Sequence, residues 1–150
     1  MTNAHSVVLT TMCLIEKEHE VLMLRRLKTD WPGMTFPGGH LKAGEDFVDG
    51  IVREVKEETG ITLRSVRLCG ISQFTYDNNT RYVVVFFASN DFDGEHITSP
   101  EGEVMWVDRH NLHSLDLAPD IEAMYEVMDN DDCTEVRYIK KGDRWVASAR

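Results

Sequence analysis

At 150 residues the chain has the length of one ordinary domain, enough to bury a sizeable apolar core without covalent staples. Its 26 acidic against 16 basic side chains leave a formal charge of −10, which disfavours broad nucleic-acid binding but still permits phosphates held through a cation. Cys13, Cys69 and Cys133 are odd in number, far apart and outside any CxxC or Cys/His cluster, which argues against a disulfide framework or a zinc site and for a cytoplasmic location.

Ser6 to Ile15 is an apolar run too short for a membrane span, so it reads as a buried strand and no membrane partner is expected. With Glu20 to Leu27 it forms a hairpin pattern around the polar Lys17-Glu18-His19 turn. Trp31-Pro32-Gly33 and Pro37-Gly38-Gly39 then forbid a helix and predict a shaped loop that comes close to whatever lies beside it. From Glu45 to Thr59 there is no proline, helix formers dominate, and Gly60 stands at the C-cap, so the pattern predicts a helix of about four turns. Ser65 to Tyr76 and Arg81 to Ala88 read as paired strands around Asp77-Asn78-Asn79, and Glu103 to Val107 as another strand. Asp120 to Met128 carries helical periodicity in Ile121, Met124, Tyr125 and Met128, with Pro119 and Asp120 as start signals. The tail from Thr134 to Ala147 alternates around Lys141-Gly142-Asp143, a terminal hairpin. The sum is an α/β (α+β) sandwich, helices on a central mixed sheet, in a single domain over residues 1–150.

On a helix from Glu45 to Thr59, with about 100° per residue, Phe47, Val48, Ile51, Val52 and Val55 share one stripe, expected to pack on the sheet. Glu54, Glu57 and Glu58, spaced i, i+3, i+4, project from the neighbouring face, with Glu58 nearest the apolar edge. Such like charges destabilise a helix by about 0.2 to 0.5 kcal/mol per pair, and a divalent cation reverses that sign. Carboxylate oxygens in this arrangement suit Mg²⁺ or Mn²⁺, whose shells are completed by water and substrate phosphate. A solvated acidic surface is the alternative.

The segment Gly39 to Ile61, GHLKAGEDFVDGIVREVKEETGI, resembles the box of the Nudix hydrolases, Gx5Ex7REUxEExGU with U aliphatic, and agrees at every specified position. The flanks look closest to the MutT-like branch. This resemblance implies an α/β/α sandwich and Mg²⁺-dependent cleavage of a nucleoside diphosphate linked to another group, with Glu54, Glu57 and Glu58 as ligands. It also implies that the Gly39 carbonyl coordinates metal, that Gly44, Glu45 and Gly60 shape the box, and that Arg53 orients Glu45 or a catalytic carboxylate. Glu54 is the first choice of general base. Glu101, in SPEGEVMW, aligns best with a loop metal ligand, with Glu103 beside it; plain loop surface is the alternative for both.

For the substrate, one of Arg25 and Arg26 is expected to face the cleft and the other solvent, because strand neighbours alternate. Asp120 lies where MutT-like enzymes read a guanine edge, with an N-cap as its other role, and as a base reader it would need a raised pKa to donate. Phe36, Phe74 and Tyr76 line a base pocket or the core, and His40, His110 and His113 show no ligand pattern. The leading substrate is a nucleoside triphosphate such as 8-oxo-dGTP, cleaved to monophosphate and pyrophosphate by a monomer or homodimer. The alternatives are a dinucleoside polyphosphate, a nucleotide sugar, an RNA 5′ end, which the strong acidity disfavours, or a Nudix-fold sensor that binds nucleotide without cleaving it.

Overall fold

The computed structural model describes all residues except 1–3, 28–29, 76, 78, 99 and 101. In chain order they form β1 (Ser6–Lys17), β2 (Glu20–Arg26), β3 (Gly33–Thr35), β4 (Gly38–His40), α1 (Phe47–Thr59), β5 (Thr62–Leu63), β6 (Arg67–Thr75) and β7 (Thr80–Ser89). Then follow β8 (Phe92–Asp93), β9 (Gly102–Asp108), a 3-10 turn (Arg109–Ser114), α2 (Ile121–Asp129), β10 (Glu135–Lys141) and β11 (Arg144–Ala149). Among the described residues no helix is long and apolar enough to cross a membrane.

The strands run β11-β10-β6-β7-β1-β2-β3, with β4 added to β1 and β9 to β2. The sheet is mixed: β1 lies parallel to β7 from Ser6↔Thr80 to Ile15↔Ser89, β10 lies parallel to β6, and the other pairs are antiparallel. The expected β1–β2 hairpin closes over only Glu16↔Val21 and Lys17↔Glu20, because β1 gives its length to β7 and β4 while β2 gives its own to β9.

From Thr10 of β1 and Val84 of β7 onward both faces of the sheet are covered, which explains the apolar runs there, whereas Val7 and Leu9 at the start of the strand expected to be buried remain 47% and 38% exposed. Met12 and Leu14, with Val84 and Phe86, face a core closed by Ile121, Met124, Val127 and Met128 of α2. Cys13 and Ile15, with Val85 and Phe87, face a core closed by Ile51 and Val55 of α1. The result is the expected α/β/α sandwich.

Helix α1 ends as predicted: Gly60 takes a left-handed φ of 81° and donates its N–H to the Lys56 carbonyl at 3.0 Å. Its buried stripe is narrower than expected. Ile51 and Val55 are fully buried, but Phe47 and Val48 are 38% and 50% exposed, and Leu41 packs where a side chain at Gly50 would stand. The loop read between Trp31 and Gly39 contains β3 and β4, and a small β5–β8 ribbon lies where no strand was predicted, since two or three residues carry no measurable period. The terminal hairpin forms with Gly142 at φ 63° in its two-residue turn, and β10 joins it to β6.

Candidate functional site

The site begins with the backbone of β4. Thr10, Thr11 and Met12 of β1 face His40, Gly39 and Gly38. A Cβ on Gly38 would stand 2.0 Å from the Thr11 carbonyl oxygen, so only glycine lets these strands lie this close. A Cβ on Gly39 would stand 2.5 Å from the Glu54 carboxylate, so that acid occupies the space the missing side chain leaves. The Gly38 N–H donates to Glu58 Oε1 at 3.0 Å, which compensates an acid only 5% exposed. The double glycine thus brings Glu54 and Glu58 of α1 onto the strand backbone.

Arg53 holds the other acids. Its Nε and Nη2 donate to the two oxygens of Glu45 at 2.7 and 2.8 Å, Nη1 to Glu54 at 2.9 Å and Glu57 at 3.2 Å, and Nη2 to the His40 carbonyl at 3.1 Å. Glu45 also accepts from the Lys42 amide at 3.0 Å. Hydrogen bonds from Arg53, then from that amide, hold the Glu45 carboxyl down at about 2, while Glu45 pushes the guanidinium pKa up. The like-charge repulsion expected along α1 is therefore already offset by one cation threaded between the acids.

This arrangement bears on metal binding. Among the described residues no three His, Cys, Asp or Glu side chains converge into a ready-made cage, because Arg53 draws its carboxylates around itself. Glu54 lies against Gly39, Glu58 against the Gly38 amide and the half-exposed Glu57 on Arg53, and all three offer hard carboxylate oxygens. They fit a small divalent ion that takes one or two carboxylates from protein and the rest of its shell from water and phosphate. Glu101 lies outside the described residues. Glu103 faces Arg25 across β2 and β9, is exposed, and does not line the cleft described next.

From Gly38, Gly39 and Glu58 a cleft of about 480 Å³ runs to Phe74, Tyr82, Asp120 and Tyr138, within the size range of small-molecule sites. Of the two adjacent arginines, Arg26 lines it and Arg25 does not. The Arg26 guanidinium lies 5.3 Å from the Trp31 ring centre and its Nη2 donates to Asp30 at 3.2 Å, leaving its buried Nε without a hydrogen-bond partner among the described residues. Phe74 stacks on Tyr82 at 5.1 Å and meets Tyr138 edge-on at 5.6 Å. Phe36 is 2% exposed and stacks on Tyr125, so it is floor and core at once; Tyr76 lies outside the described residues. A larger open groove of about 910 Å³ along α2 is lined by acids and touches none of the box residues.

Asp120 departs from the N-cap expectation. It sits at φ 70°, makes no side-chain cap bond, and accepts instead from the Tyr138 hydroxyl at 3.2 Å. Burial first, then the Asp120 charge, push that hydroxyl up to about 12, so Tyr138 remains the donor. Trp31, His40, Tyr82 and Tyr138 line the cleft without having been predicted to do so. For Tyr138 the only sequence signal was weak alternation in the tail.

A profile for the NUDIX domain matches residues 6–130. The chain is 28% identical over 114 residues to the Nudix hydrolase YvcI of Bacillus subtilis, an alignment covering 73% of this chain and 71% of that protein. It is 30% identical over 105 residues to an ADP-ribose pyrophosphatase of Methanocaldococcus jannaschii, covering 68% of this chain and 62% of that one. Among solved structures, the mutator MutT protein of Bacillus halodurans superimposes with a TM-score of 0.76 at 26% identity, over 95% of this chain and 96% of the other.

Proposed function

The chain belongs to the NUDIX domain family and is a Nudix hydrolase, of a family whose members cleave pyrophosphate bonds in nucleotide derivatives, and from that premise we propose how its own residues act. The reading is a Mg²⁺-dependent pyrophosphohydrolase, Mn²⁺ being the other suitable ion, acting in a single domain over residues 1–150. Its leading substrate is a nucleoside triphosphate of the 8-oxo-dGTP kind, cleaved to monophosphate and pyrophosphate. The observation that carries it is the Gly39 cradle, where Glu54 and the nearly buried Glu58 meet strand backbone at the mouth of a nucleoside-sized cleft.

In this reading the Gly39 carbonyl with Glu54, Glu57 and Glu58 holds the ion, and Glu101 joins that donor set on the resemblance alone. The bound ion supplies phosphate neutralisation and a water of lowered pKa. Glu54 is the general base of this reading, accepting the proton of an attacking water, and its contacts with Gly39 and Arg53 support that choice. Arg53 is a positioning residue: its fork to Glu45 anchors it, and its remaining donors fix Glu54 and Glu57. Arg26, over the Trp31 ring and lining the cleft, is the arginine that contacts nucleotide in this reading, and Arg25 is not. Asp120, with one oxygen occupied by Tyr138, offers the other as an acceptor to a base that presents N–H groups.

A second reading, an ADP-ribose-type substrate, is favoured by the archaeal relative's activity and fits the same acceptor through an adenine amino group. The test is turnover with Mg²⁺ across guanosine, 8-oxoguanosine and adenosine triphosphates, ADP-ribose and a dinucleoside polyphosphate. Products are resolved by chromatography and the attacked phosphorus by ¹⁸O-water. Highest kcat/KM on a purine triphosphate with pyrophosphate release supports the leading reading; binding of a nucleotide with no cleavage of any of them overturns both.

A further inference from the structure

The two sides of the sheet are covered unequally. On one side α2 rests on β1, β6, β7, β10 and β11, whereas on the other α1 rests on β1, β4 and β5. The register shows what stays open beside α1. Val85 and Phe87 face the core that α1 closes, and directly opposed residues share a face, so Val7, Leu9, Val83, Ile71 and Leu68 stand on that side too. Val7, Leu9, Leu68 and Ile71 are nevertheless 38–65% exposed. At about 100° per residue, Val48 and Val52 lie on the flank of α1 away from Glu54 and Glu57. Val52 packs on the same core as Val83, while Val48 is 50% exposed. The open strands and this flank therefore form one continuous apolar step, of the kind that marks an interaction site.

Charge on the step indicates what fits it. Arg81 pairs with Val7 across the strands, and Arg137 lies two residues beyond Glu135, the partner of Ile71, so both arginines stand on the open face. Arg81 donates to the neutral Gln73 at 3.0 Å, and neither arginine has an ion-pair partner among the described residues. Asp49, exposed in the first turn of α1 beside Val48, likewise has none. One surface thus carries an apolar strip edged with acid and an apolar strip edged with base. A twofold axis brings each strip onto the other, because residue i then meets j while j meets i. We propose that a second copy of this chain covers the open face, each copy seating its Val48 flank on the Leu9, Val83 and Ile71 surface of the other, with Asp49 against Arg81. Five strands about 4.8 Å apart and about seven residues long give a footprint of roughly 550 Å². The α1 flank adds to it, and a standard interface takes about 800 Å² per partner, so the contact is reversible and not obligate. The formal charge of −10 opposes association only at long range, since at physiological salt charge acts over about 8 Å.

Sedimentation velocity over a concentration series tests this on the full chain. The wild type is expected to pass from the 17.2 kDa monomer to twice that mass with a dissociation constant on the order of 10 µM. Ile71→Glu and Val48→Lys, both at exposed sites on different elements and checked for fold by circular dichroism, are each expected to raise that constant about thirty-fold. Asp49→Arg is expected to raise it about ten-fold, and adding Arg81→Asp to return it to within about three-fold of wild type. A wild type still monomeric at about 200 µM overturns the proposal, as when a different protein occupies the face. A dimer unaffected by either Ile71→Glu or Val48→Lys overturns it as well, and so does a charge reversal that Arg81→Asp fails to repair.

Discussion

Replacing Gly39 by alanine separates the chemistry of the site from the stability of the fold. The new Cβ would stand 2.5 Å from Cδ and Oε2 of Glu54, against 3.4 Å for ordinary contact, so the carboxylate must retreat by about 0.9 Å. What it strikes is the far end of a flexible side chain, and Gly39 does not sit at positive φ, so the backbone need not move. The melting temperature is expected to fall by less than about 3 °C. The retreat also pulls Glu54 from Arg53, now 2.9 Å away. A misplacement of about 1 Å in a reacting group costs on the order of 100-fold in rate, equivalent to about 2.7 kcal/mol of transition-state stabilisation. Gly38→Ala is the contrast. Its Cβ would stand 2.0 Å from the Thr11 carbonyl oxygen and 2.8 Å from the Met12 Cα, both backbone, so β4 must lift from β1. That costs about 1–3 kcal/mol of stability, the range for overpacking. The assay pairs kcat on the best substrate of the nucleotide panel with thermal melts. Gly39→Ala protein turning over within about three-fold of wild type would remove the Glu54 position from the mechanism. A melt for it as low as that of Gly38→Ala would refute the claim that the side chain alone yields.

Glu58→Gln keeps an oxygen to accept the Gly38 amide but loses its charge, so kcat should drop about 100-fold or more while the melt barely moves; an unchanged kcat sinks the ligand role. Arg53→Lys cannot reproduce the fork to Glu45 together with the bonds to Glu54 and Glu57, and kcat should fall by at least about ten-fold with KM little changed; a KM effect alone would instead mean direct substrate contact. The Glu45 carboxyl sits at about 2, below its ordinary 4.5, so its contribution to stability is present above the ordinary value and lost as pH falls through the depressed one. The melting difference between wild type and Glu45→Gln should therefore shrink between about pH 6 and about pH 2.5, and a constant difference contradicts the Arg53 pairing. Tyr138→Phe frees one Asp120 oxygen and should alter the ranking of bases in the nucleotide panel; an identical ranking means that this pair does not face the base.

Local spacing determined a good deal by itself. The Gly60 stop, and the placing of Glu54, Glu57 and Glu58 on one side of α1, follow from helical geometry alone, which is a property of nearby residues. Strand alternation likewise required that Arg25 and Arg26 part company. The tertiary structure decided which of them turned inward, because only the packing of Trp31 and Asp30 distinguishes the two. It also decided the fates of Phe47 and Val48, which share the apolar stripe but stay exposed beside Leu41 and Gly50. Asp120 reads as a helix cap until Tyr138, 18 residues away, supplies a better partner at a positive φ that removes the cap geometry. Gly39 is the clearest case. Its place in the box is visible in the sequence, but the reason for glycine there is the Glu54 carboxylate, which reaches that position only when β4 lies on β1 beneath α1. Short-range geometry is written in the spacing of residues, whereas contacts between distant segments arise from the packing of the whole sheet.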